Sequence, residues 1–564
     1  MRSINTYIFI LIGFLLNSGC AELDLNPLAE GSSETWYSNE NQLNMALNDM
    51  YRKTFWARDF DEWTDDWTSR STVTSITGGT LNGEDFIVTS RWANAYSAIA
   101  RANTFLYSFD KASGVTQEQL DAFEGEARFI RASQYAYLIT HWGDVPFFTG
   151  YLDIEDALSL GRTNKDVIKE EIYTDFDLAV DFLPVSYNNS EIQRATKGAA
   201  LAMKARTALY LGDFDVARDA AKACMDLEEY SLHPDFRTLS LASTKNSSEQ
   251  IFGFPNSVEL SSYWDADWIV KRYVPRNNGG FASYQPSWDL FCSFLCTDGL
   301  PIDESPLFDP RDPFENRDPR LEETMPAPGS NFLGFKYEPN PDSAQVYSFE
   351  TGAYQLNRDS RRPDNLFASF NGLVWKKGID ESWIDLQADN DLIVIRYADV
   401  LLMYAESKIE LGEVDQSVLD AINRVRARAY KVDYTDTGSY PAVTTTDVSE
   451  LRSIVRVERR MEFAHEGLRY MDIIRWGIAD QVLNTNIYGH LDYAELKDKV
   501  LDPGLWFLPG IPEIDENGTP NFDDMYNAGL IKQLAVRSFP ERQYLWPIPS
   551  SEILINDNLN QEDY

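Results

Sequence analysis

Two stretches of the sequence share one pattern, and this pattern limits the possible fold more than any other feature. The first, KGAALAMKARTALYLGDFDVARDAAKACMDL at 197–227, has the periodicity of a helix, a break at Gly212, and the periodicity of a second helix. Within it, Phe214, Ala217 and Cys224 fall where a tetratricopeptide hairpin has an aromatic and two small residues. Because small residues let two helices approach closely, the stretch predicts a helical hairpin.

The second stretch, 395–429, repeats the pattern, with Gly412 at the turn and Ser417 at the first small position. A single hairpin cannot bury its apolar face, so such units stack on one another. Amphipathic spacing within about 41–140 predicts further helical pairs that complete the stack. We therefore predict a mainly α fold with a tetratricopeptide-like scaffold of helical pairs.

The helical pattern disappears between the two hairpins. Residues from about 230 to 391 are rich in Pro, Gly, Asn and aromatic side chains. A connection of this length without regular periodicity is usually functional. We predict a long, irregular, loop-rich insert that forms the ligand face.

The amino terminus predicts export and a lipid anchor. Residues 8–20, IFILIGFLLNSGC, form an apolar run that ends in small residues and Cys20. The run is too short to span a bilayer. Its cysteine favours a lipoprotein signal at 1–19 with lipidation at Cys20, although Asn17 stands where such signals have an aliphatic residue. A plain secretory signal is the alternative. A polar tether at 20–34 and a single domain at 35–564 complete the predicted organisation.

Charge and cysteine content exclude other classes of protein. The formal net charge of -39 argues against nucleic-acid binding, which needs clustered Lys and Arg. With Cys20 lipidated, the three remaining cysteines are Cys224, Cys292 and Cys296, so disulfides do not build this fold. Buried thiols are favoured at Cys292 and Cys296, and a bridge between them is the alternative.

The sequence contains no recognisable catalytic or cofactor motif. Its four histidines form no HExxH pair, and no Cys-x-x-Cys, G-x-S-x-G or Walker motif occurs. The acidic stretch at 515–524, DENGTPNFDD, favours a turn over a calcium loop because it lacks the sixth-position glycine and closing glutamate. We predict a protein that is not an enzyme and has no cofactor or metal. The 89 acidic residues leave a glycoside hydrolase pair open as a remote alternative.

Aromatic residues in polar surroundings are the candidate ligand contacts. They fall in two segments, FWARDFDEWTDDWTSRS at 55–71 and SSYWDADWIVKRY at 261–273. A flat ring presents a weakly negative face to the C–H groups of a sugar, and neighbouring polar side chains bond its hydroxyls. This combination suits a neutral glycan, and we expect both segments to line one open surface. The candidate residues are Trp63, Trp67, Tyr263, Trp264, Trp268 and Tyr273.

Seven segments together resemble one known family. In chain order they are CAELDLNP at 20–27, EARFIRASQYAYLITHWGDVPF at 126–147, KGAALAMKARTALYLGDF at 197–214, TDGLPIDESPLFDPRDPFENRDPRL at 297–321, IRYADVLLMYAE at 395–406, VERRMEFAHEGLRYMDIIRWG at 457–477 and YLWPIPSSEI at 544–553. They are similar to the corresponding segments of the SusD/RagB family of surface nutrient-binding lipoproteins from Bacteroidetes. In the segment at 457–477 the spacing of charged residues also predicts ion pairs along one helix.

The resemblance implies a location, a partner and a function. Family members are anchored by lipid to the outer membrane, face outward, and pass glycans or peptides to a SusC-like TonB-dependent transporter. We accordingly expect this chain to capture an oligosaccharide or polysaccharide. A peptide ligand, as in RagB-like proteins, is the alternative.

Overall fold

The computed structural model describes residues 36–56, 59–188, 193–264, 269–385, 387–561 and 564. The segment at 1–34 and Trp268 lie outside the described residues. The longer helices are α1 (Glu40–Met50), α2 (Phe86–Ser108), α3 (Gln117–Trp142), α4 (Lys165–Phe182), α5 (Lys197–Leu211), α6 (Phe214–Met225), α7 (Tyr397–Glu410), α8 (Gln416–Ala429), α9 (Val448–Phe463) and α10 (Arg469–Arg475). Shorter helices occur at Ile154–Ser159, Lys271–Tyr273, Trp288–Ser293, Arg320–Thr324, Ala479–Val482, Tyr493–Leu496, Asp523–Asn527 and Ser550–Ile555.

The strands are short, and the named pairings are antiparallel. They are β1 (Trp67–Thr68), β2 (Gln250–Phe254), β3 (Gln285–Pro286), β4 (Asn331–Phe332), β5 (Phe335–Lys336), β6 (Gln345–Ser348), β7 (Ala353–Leu356), β8 (Leu392–Arg396), β9 (Asn486–Gly489), β10 (Glu513–Ile514), β11 (Pro520–Asn521) and β12 (Lys532–Val536). Strands β4 to β7 form one sheet in sequence order, and the other pairs are β1–β3, β2–β8, β9–β12 and β10–β11. The insert is thus irregular, as predicted.

Both predicted hairpins are confirmed. Thr196 caps α5 by accepting a hydrogen bond from the backbone of Ala199, and Gly212 ends the helix in the left-handed conformation, at φ 80°. Ala217 is fully buried where α5 and α6 pack together. In the second hairpin, the hydroxyl groups of Tyr404 and Ser417 lie 2.9 Å apart.

The hairpins stack on each other directly. Helix α7 packs against α6, although the insert separates them in sequence. On the other side, α5 packs on α4, α4 on α3, and α3 on α2. The predicted pairs near the amino terminus therefore continue one stack of helices. Among the described residues, no helix is long and apolar enough to cross a membrane.

The segment at 457–477 forms its ion pairs differently from the prediction. Helix α9 ends at Phe463, and a turn with His465 at φ 65° precedes α10. Most of the charged side chains therefore bond remote elements. Arg459 reaches Asp399 at 2.9 Å and Asp472 at 3.0 Å, and all three are buried. Asp472 and Arg475, three residues apart on α10, do form the predicted kind of pair, at 2.8 Å. The ion pairs of the segment are thus mainly tertiary contacts.

Two smaller predictions are resolved by the local backbone. Cys292 and Cys296 are buried free thiols, so the alternative of a bridge is wrong. The helix carrying Cys292 ends at Ser293 and the backbone then becomes extended, which places the thiols off a common helical face. The stretch after β10 is a turn, in which the carboxylate of Asp515 accepts from the backbone of Thr519 at 2.7 Å.

Buried apolar side chains form two large clusters whose boundary positions the candidate site. One cluster belongs mainly to the helical stack, and the other mainly to the insert and the segments after α9. Trp264 packs against both clusters. The loop that carries Trp264 therefore lies where the helical stack meets the insert.

Candidate functional site

The two predicted aromatic segments come together in the structure. Just before the first segment, Lys53 donates a hydrogen bond to the hydroxyl of Ser262 at 2.8 Å, at the start of the second segment. Strand β1, within the first segment, pairs with β3, which follows the second. Phe60 from the first segment and Trp264 and Tyr273 from the second line the same cavity of about 130 Å³.

We call this cavity the aromatic cleft. Its aromatic and aliphatic lining includes Phe60, Trp264, Ile269, Tyr273, Trp383 and His465. Its polar and charged lining includes Ser240, Lys377, Asn390, Asp391 and Glu466. Phe60 and Ile269 are more than a third exposed, so the cleft has an apolar rim. The exposed ring of Tyr263 stands beside Trp264 in sequence. Aromatic surface with a few polar groups is typical of a small-molecule site.

Neighbouring rings hold Tyr273 in place. Its ring lies 5.3 Å from that of Tyr284 and 6.1 Å from that of Trp383, in edge-to-face geometry. On a further side it lies 5.0 Å from the ring of His465, which stacks on buried Trp375 at 4.4 Å. These are favourable aromatic separations. The ring of Tyr273, which is half-buried, is therefore pre-positioned.

Trp264 is anchored through both its backbone and its side chain. The backbone N–H donates to the carbonyl oxygen of Ala388 at 2.9 Å, and the indole N–H donates to that of Asn390 at 3.0 Å. Asn390 is fixed in turn, because its side chain accepts from the indole of Trp383 and donates to Gly378. The indole N–H of Trp264 is thus occupied, and any contact with a ligand would be made by the ring itself.

The charged groups in the cleft already have partners. Lys377 forms an ion pair with Glu466 at 2.5 Å, and Arg396 bonds Glu466 from another side at 2.7 Å. Burial is the largest influence on Lys377 and lowers the pKa of its ammonium group. Burial works to raise the pKa of Glu466, but the charges of Arg396 and Lys377 outweigh it and lower that pKa. Glu466 is therefore a structural ion-pair partner and a poor candidate for a general acid.

Asp391 is the carboxylate in the cleft with the most spare capacity. Its Oδ1 accepts from the backbone of Asn256 at 3.0 Å, while its buried Oδ2 has no hydrogen-bond partner among the described residues. Burial raises the pKa of Asp391. A carboxylate oxygen with an unused acceptor suits a hydroxyl donor on a ligand.

The structure corrects the placement of Trp63 and Trp67, which we expected on an open surface. Trp63 is 2% exposed and packs against Tyr470 and Trp546, with ring centroids 5.4 and 5.5 Å away. Trp67 is 6% exposed and packs against Tyr284 at 4.9 Å. Neither ring has a free face for a sugar.

The reason is that the acids around these tryptophans are themselves buried. Asp65 and Asp66 pair with Arg460, at 2.8 and 2.6 Å, and Asp65 also pairs with Arg469 at 2.9 Å. Pairing offsets the cost of burying the charges, so a segment that looks polar in sequence runs through the interior.

Of the other four predicted residues, two line the cleft. Trp264 and Tyr273 line it, and Tyr263 is 40% exposed. Trp268 lies outside the described residues. Their role in ligand binding stays a prediction.

Three of the lining residues that the sequence analysis did not predict carry aromatic rings. Phe60 lies within the first aromatic segment, in which only Trp63 and Trp67 were predicted as ligand contacts. Trp383 occurs in ESWID, which repeats the pattern of Trp beside acids and was a usable signal. His465 was assigned to a structural helix, and only the chain turn after α9 brings it to the cleft.

The comparisons with known proteins identify similar chains over nearly the whole length. A model described as the SusD family matches residues 248–564, and one described as starch-binding associating with outer membrane matches residues 24–211. A SusD-like protein of Formosa agariphila is 25% identical over 519 residues, which cover 86% of this chain and 92% of that protein.

Solved structures have a similar fold. The crystal structure of a SusD-like carbohydrate binding protein from Bacteroides fragilis is 29% identical, with a TM-score of 0.75 that covers 93% of this chain and 99% of that one. Another SusD-like protein from Bacteroides fragilis is 23% identical, with a TM-score of 0.72 that covers 94% of this chain and 99% of that one.

Proposed function

Because the chain belongs to the SusD/RagB family, we propose that it is a cell-surface lipoprotein that captures an oligosaccharide in the aromatic cleft and delivers it to a SusC-like TonB-dependent transporter. The observation that carries the proposal is the convergence of two aromatic segments on one cleft, with Phe60, Trp264 and Tyr273 in its lining. Stacking of sugar rings on such side chains needs no catalytic group.

The geometry of the cleft supports a glycan as its ligand. Trp264 and Tyr273 are fixed by hydrogen bonds and ring contacts, so binding costs little side-chain ordering. Polar residues of the lining, among them Ser240, Asn390 and Asp391, are candidates for hydrogen bonds to the hydroxyl groups of a sugar. Stacking and a few hydrogen bonds give modest net affinity, so we expect dissociation constants of about micromolar to millimolar. Such affinity suits a protein that releases its ligand to a partner.

The cellular location follows from the leader and the family. We propose that Cys20 carries the lipid and that the folded part faces outward from the outer membrane. The description of the model matching residues 24–211, starch-binding associating with outer membrane, supports this location. The proposed transporter would receive the ligand there.

We further propose that the protein binds its ligand without cleaving it. Within the described residues, the acids of the cleft include Glu466, held by two cations, and Asp391. A hydrolase requires one carboxylic acid and one carboxylate placed across a glycosidic bond. Ion pairing holds Glu466 ionised and unable to donate a proton, which supports a role in binding alone.

The test is a titration of the purified full chain against a panel of plant, host and microbial oligosaccharides and against peptides. Tryptophan fluorescence reports binding, and chromatography of the ligand reports cleavage. We expect glycan binding that falls at least about tenfold in Trp264→Ala and in Tyr273→Ala, because each loses one stacking surface. Tyr151→Ala is the control, since Tyr151 is 66% exposed and absent from the lining of the cleft.

The other outcomes separate the alternatives. Binding to peptides alone would establish the RagB-like function in place of glycan capture. Release of shortened glycans would establish a hydrolase. Undiminished glycan binding in both variants would place the site outside the aromatic cleft. Co-purification with a TonB-dependent barrel from outer membranes tests delivery separately.

A further inference from the structure

Arginine side chains gather on a second exposed surface near the aromatic cleft. We call it the arginine ledge, and it consists of Arg70, Arg276, Arg358, Phe281 and Phe367. The two phenylalanines are 40% and 59% exposed. A group of positively charged side chains beside exposed rings is unusual in a chain with a net charge of -39.

Arg70 is the centre of the ledge and joins three loops. Its Nη2 donates to the backbone carbonyl oxygen of Phe281 at 3.0 Å and to that of Phe367 at 3.2 Å. Its guanidinium carbon lies 5.4 Å from the ring centroid of Phe367, in cation–π geometry. The rings and the guanidinium therefore occupy one surface.

A second arginine, Arg276, belongs to the loop that contains Phe281, to which Arg70 is bonded. Burial, and then the charge of Arg276, lower the pKa of Arg70. The Nε atoms of both arginines are buried and have no hydrogen-bond partner among the described residues. The repulsion between two like charges is unfavourable, and an anion bound beside them would offset this cost.

Two acids near these loops already have hydrogen-bond or ion-pair partners. Asp359 is buried, and its carboxylate accepts from the backbone N–H of Arg276 at 2.7 Å and of Asn277 at 3.3 Å. Asp492 pairs with Arg361 at 2.9 Å and with Lys532 at 2.6 Å. The exposed Arg358 lies beside these loops, because its backbone donates to the side chain of Asn277 at 2.7 Å.

The ledge and the aromatic cleft share a loop. One loop contains both Tyr273, which lines the cleft, and Phe281, which belongs to the ledge. The two sides of this loop are joined by a hydrogen bond from the backbone N–H of Phe281 to the carbonyl oxygen of Lys271. Between them, the rings of Tyr273, Tyr284 and Trp67 contact one another in series. A single extended ligand can contact both places.

We propose that the arginine ledge binds an anionic substituent, a carboxylate or a sulfate ester, on the glycan that occupies the aromatic cleft. This inference rests on the proposed function and narrows its ligand from the neutral glycan expected from sequence to an acidic one. The planar guanidinium group matches the oxygens of carboxylate and sulfate, and Phe281 and Phe367 provide stacking surfaces for the sugar that carries them. The ammonium group of a lysine is not planar and would not orient the anion in this way.

The experiment compares charged glycans with their neutralised forms on the full chain. Oligogalacturonate and its carboxyl-reduced form test a carboxylate, and carrageenan oligosaccharides and their desulfated form test a sulfate ester. We expect one charged form to bind at least about tenfold more tightly than its neutralised form, with affinity that falls as salt is raised. The pair that shows this difference identifies the anionic group.

Variants locate the effect at the ledge. Arg276→Gln and Arg358→Gln should each weaken binding of the charged form by about fivefold or more and leave the neutralised form unchanged. Arg218→Gln is the matched control, because Arg218 lies on α6 and pairs there with Glu413. Arg70→Lys keeps the charge and should also weaken binding, since the ammonium group lacks the planar fork.

Two results would overturn the inference while the proposed function stands: equal binding of charged and neutralised glycans, or equal losses in the ledge variants and Arg218→Gln. Failure to bind every glycan would instead reject the proposed function, and this inference with it. The salt and glycan comparisons use the unaltered protein, so they test for binding of an anionic substituent even where a ledge variant fails to fold.

Discussion

At the scale of single residues, burial changes the properties of side chains that look ordinary in sequence. Asp359 is fully enclosed near the arginine ledge, and burial raises its pKa to about 6 against the hydrogen bonds from Arg276 and Asn277 that lower it. The folded protein therefore binds this proton more tightly than the unfolded chain. Stability from this group is present below about pH 4 and is lost as the pH rises through about 6.

Asp359→Asn tests this linkage. Between about pH 4 and pH 7, the free energy of unfolding of the unaltered protein should fall by about 3 kcal/mol relative to that of the variant. The fall is about 1.4 kcal/mol for each pH unit between the pKa of Asp359 in the unfolded chain and its pKa in the folded protein. Denaturant unfolding of both proteins across this range measures the difference. Asp364→Asn, in the same loop but 65% exposed, is the control. A difference that is constant with pH would contradict the prediction.

The residue with the largest predicted effect on location is Cys20. Cys20→Ala should release the protein from membranes and abolish fatty-acid labelling, because two acyl chains supply the membrane affinity. Membrane fractionation and metabolic labelling measure both effects. Cys224→Ala changes a buried thiol on α6 and should leave both unchanged. A Cys20→Ala protein that remains bound and labelled would reject lipidation at this residue.

At the scale of elements, the helical hairpins depend on close approach between helices. Ala217 on α6 is fully buried against α5, and α7 packs on the other side of α6. A larger side chain at this crossing has no space, so it must push one helix away. The register of the whole stack therefore depends on small residues at these crossings.

Ala217→Leu should destabilise the protein by about 1 to 3 kcal/mol through overpacking. Ala93→Leu makes the same change at an exposed position of α2, where it should have little effect because leucine is also a good helix former. Thermal melting of the two variants and the parent measures the difference. Equal melting of both variants would mean that the α5–α6 crossing has room for leucine.

At the scale of the whole molecule, a buried ion network joins the helical stack to the insert. Glu462 at the end of α9 pairs with Arg320 of the insert at 3.1 Å and with Arg396 of β8 at 2.7 Å, and it also pairs with Arg428 of α8. Burial works to raise the pKa of Glu462, but the charges of Arg428, Arg396 and Arg320 lower it overall. One carboxylate thus ties three parts of the chain together.

Glu462→Gln should cost up to about 3 to 5 kcal/mol, because it removes a counter-charge shared by three buried guanidinium groups, although each of them keeps another carboxylate partner. Glu495→Gln removes an exposed pair with Lys499 and should cost less than about 1 kcal/mol. Denaturant unfolding followed by tryptophan fluorescence compares the two. Similar losses in both variants would contradict a dominant role for the network.

Sequence patterns alone predict the helical scaffold, the position of the irregular insert and two segments that contribute to the aromatic cleft. These features are local, because periodicity, turn glycines and small residues act over a few neighbouring positions. Which rings line the cleft depends on tertiary contacts. Trp63 and Trp67 are buried because arginines distant in sequence, Arg460 and Arg469, neutralise the acids beside them. Burial is a property of such long-range pairs, and no local pattern contains it.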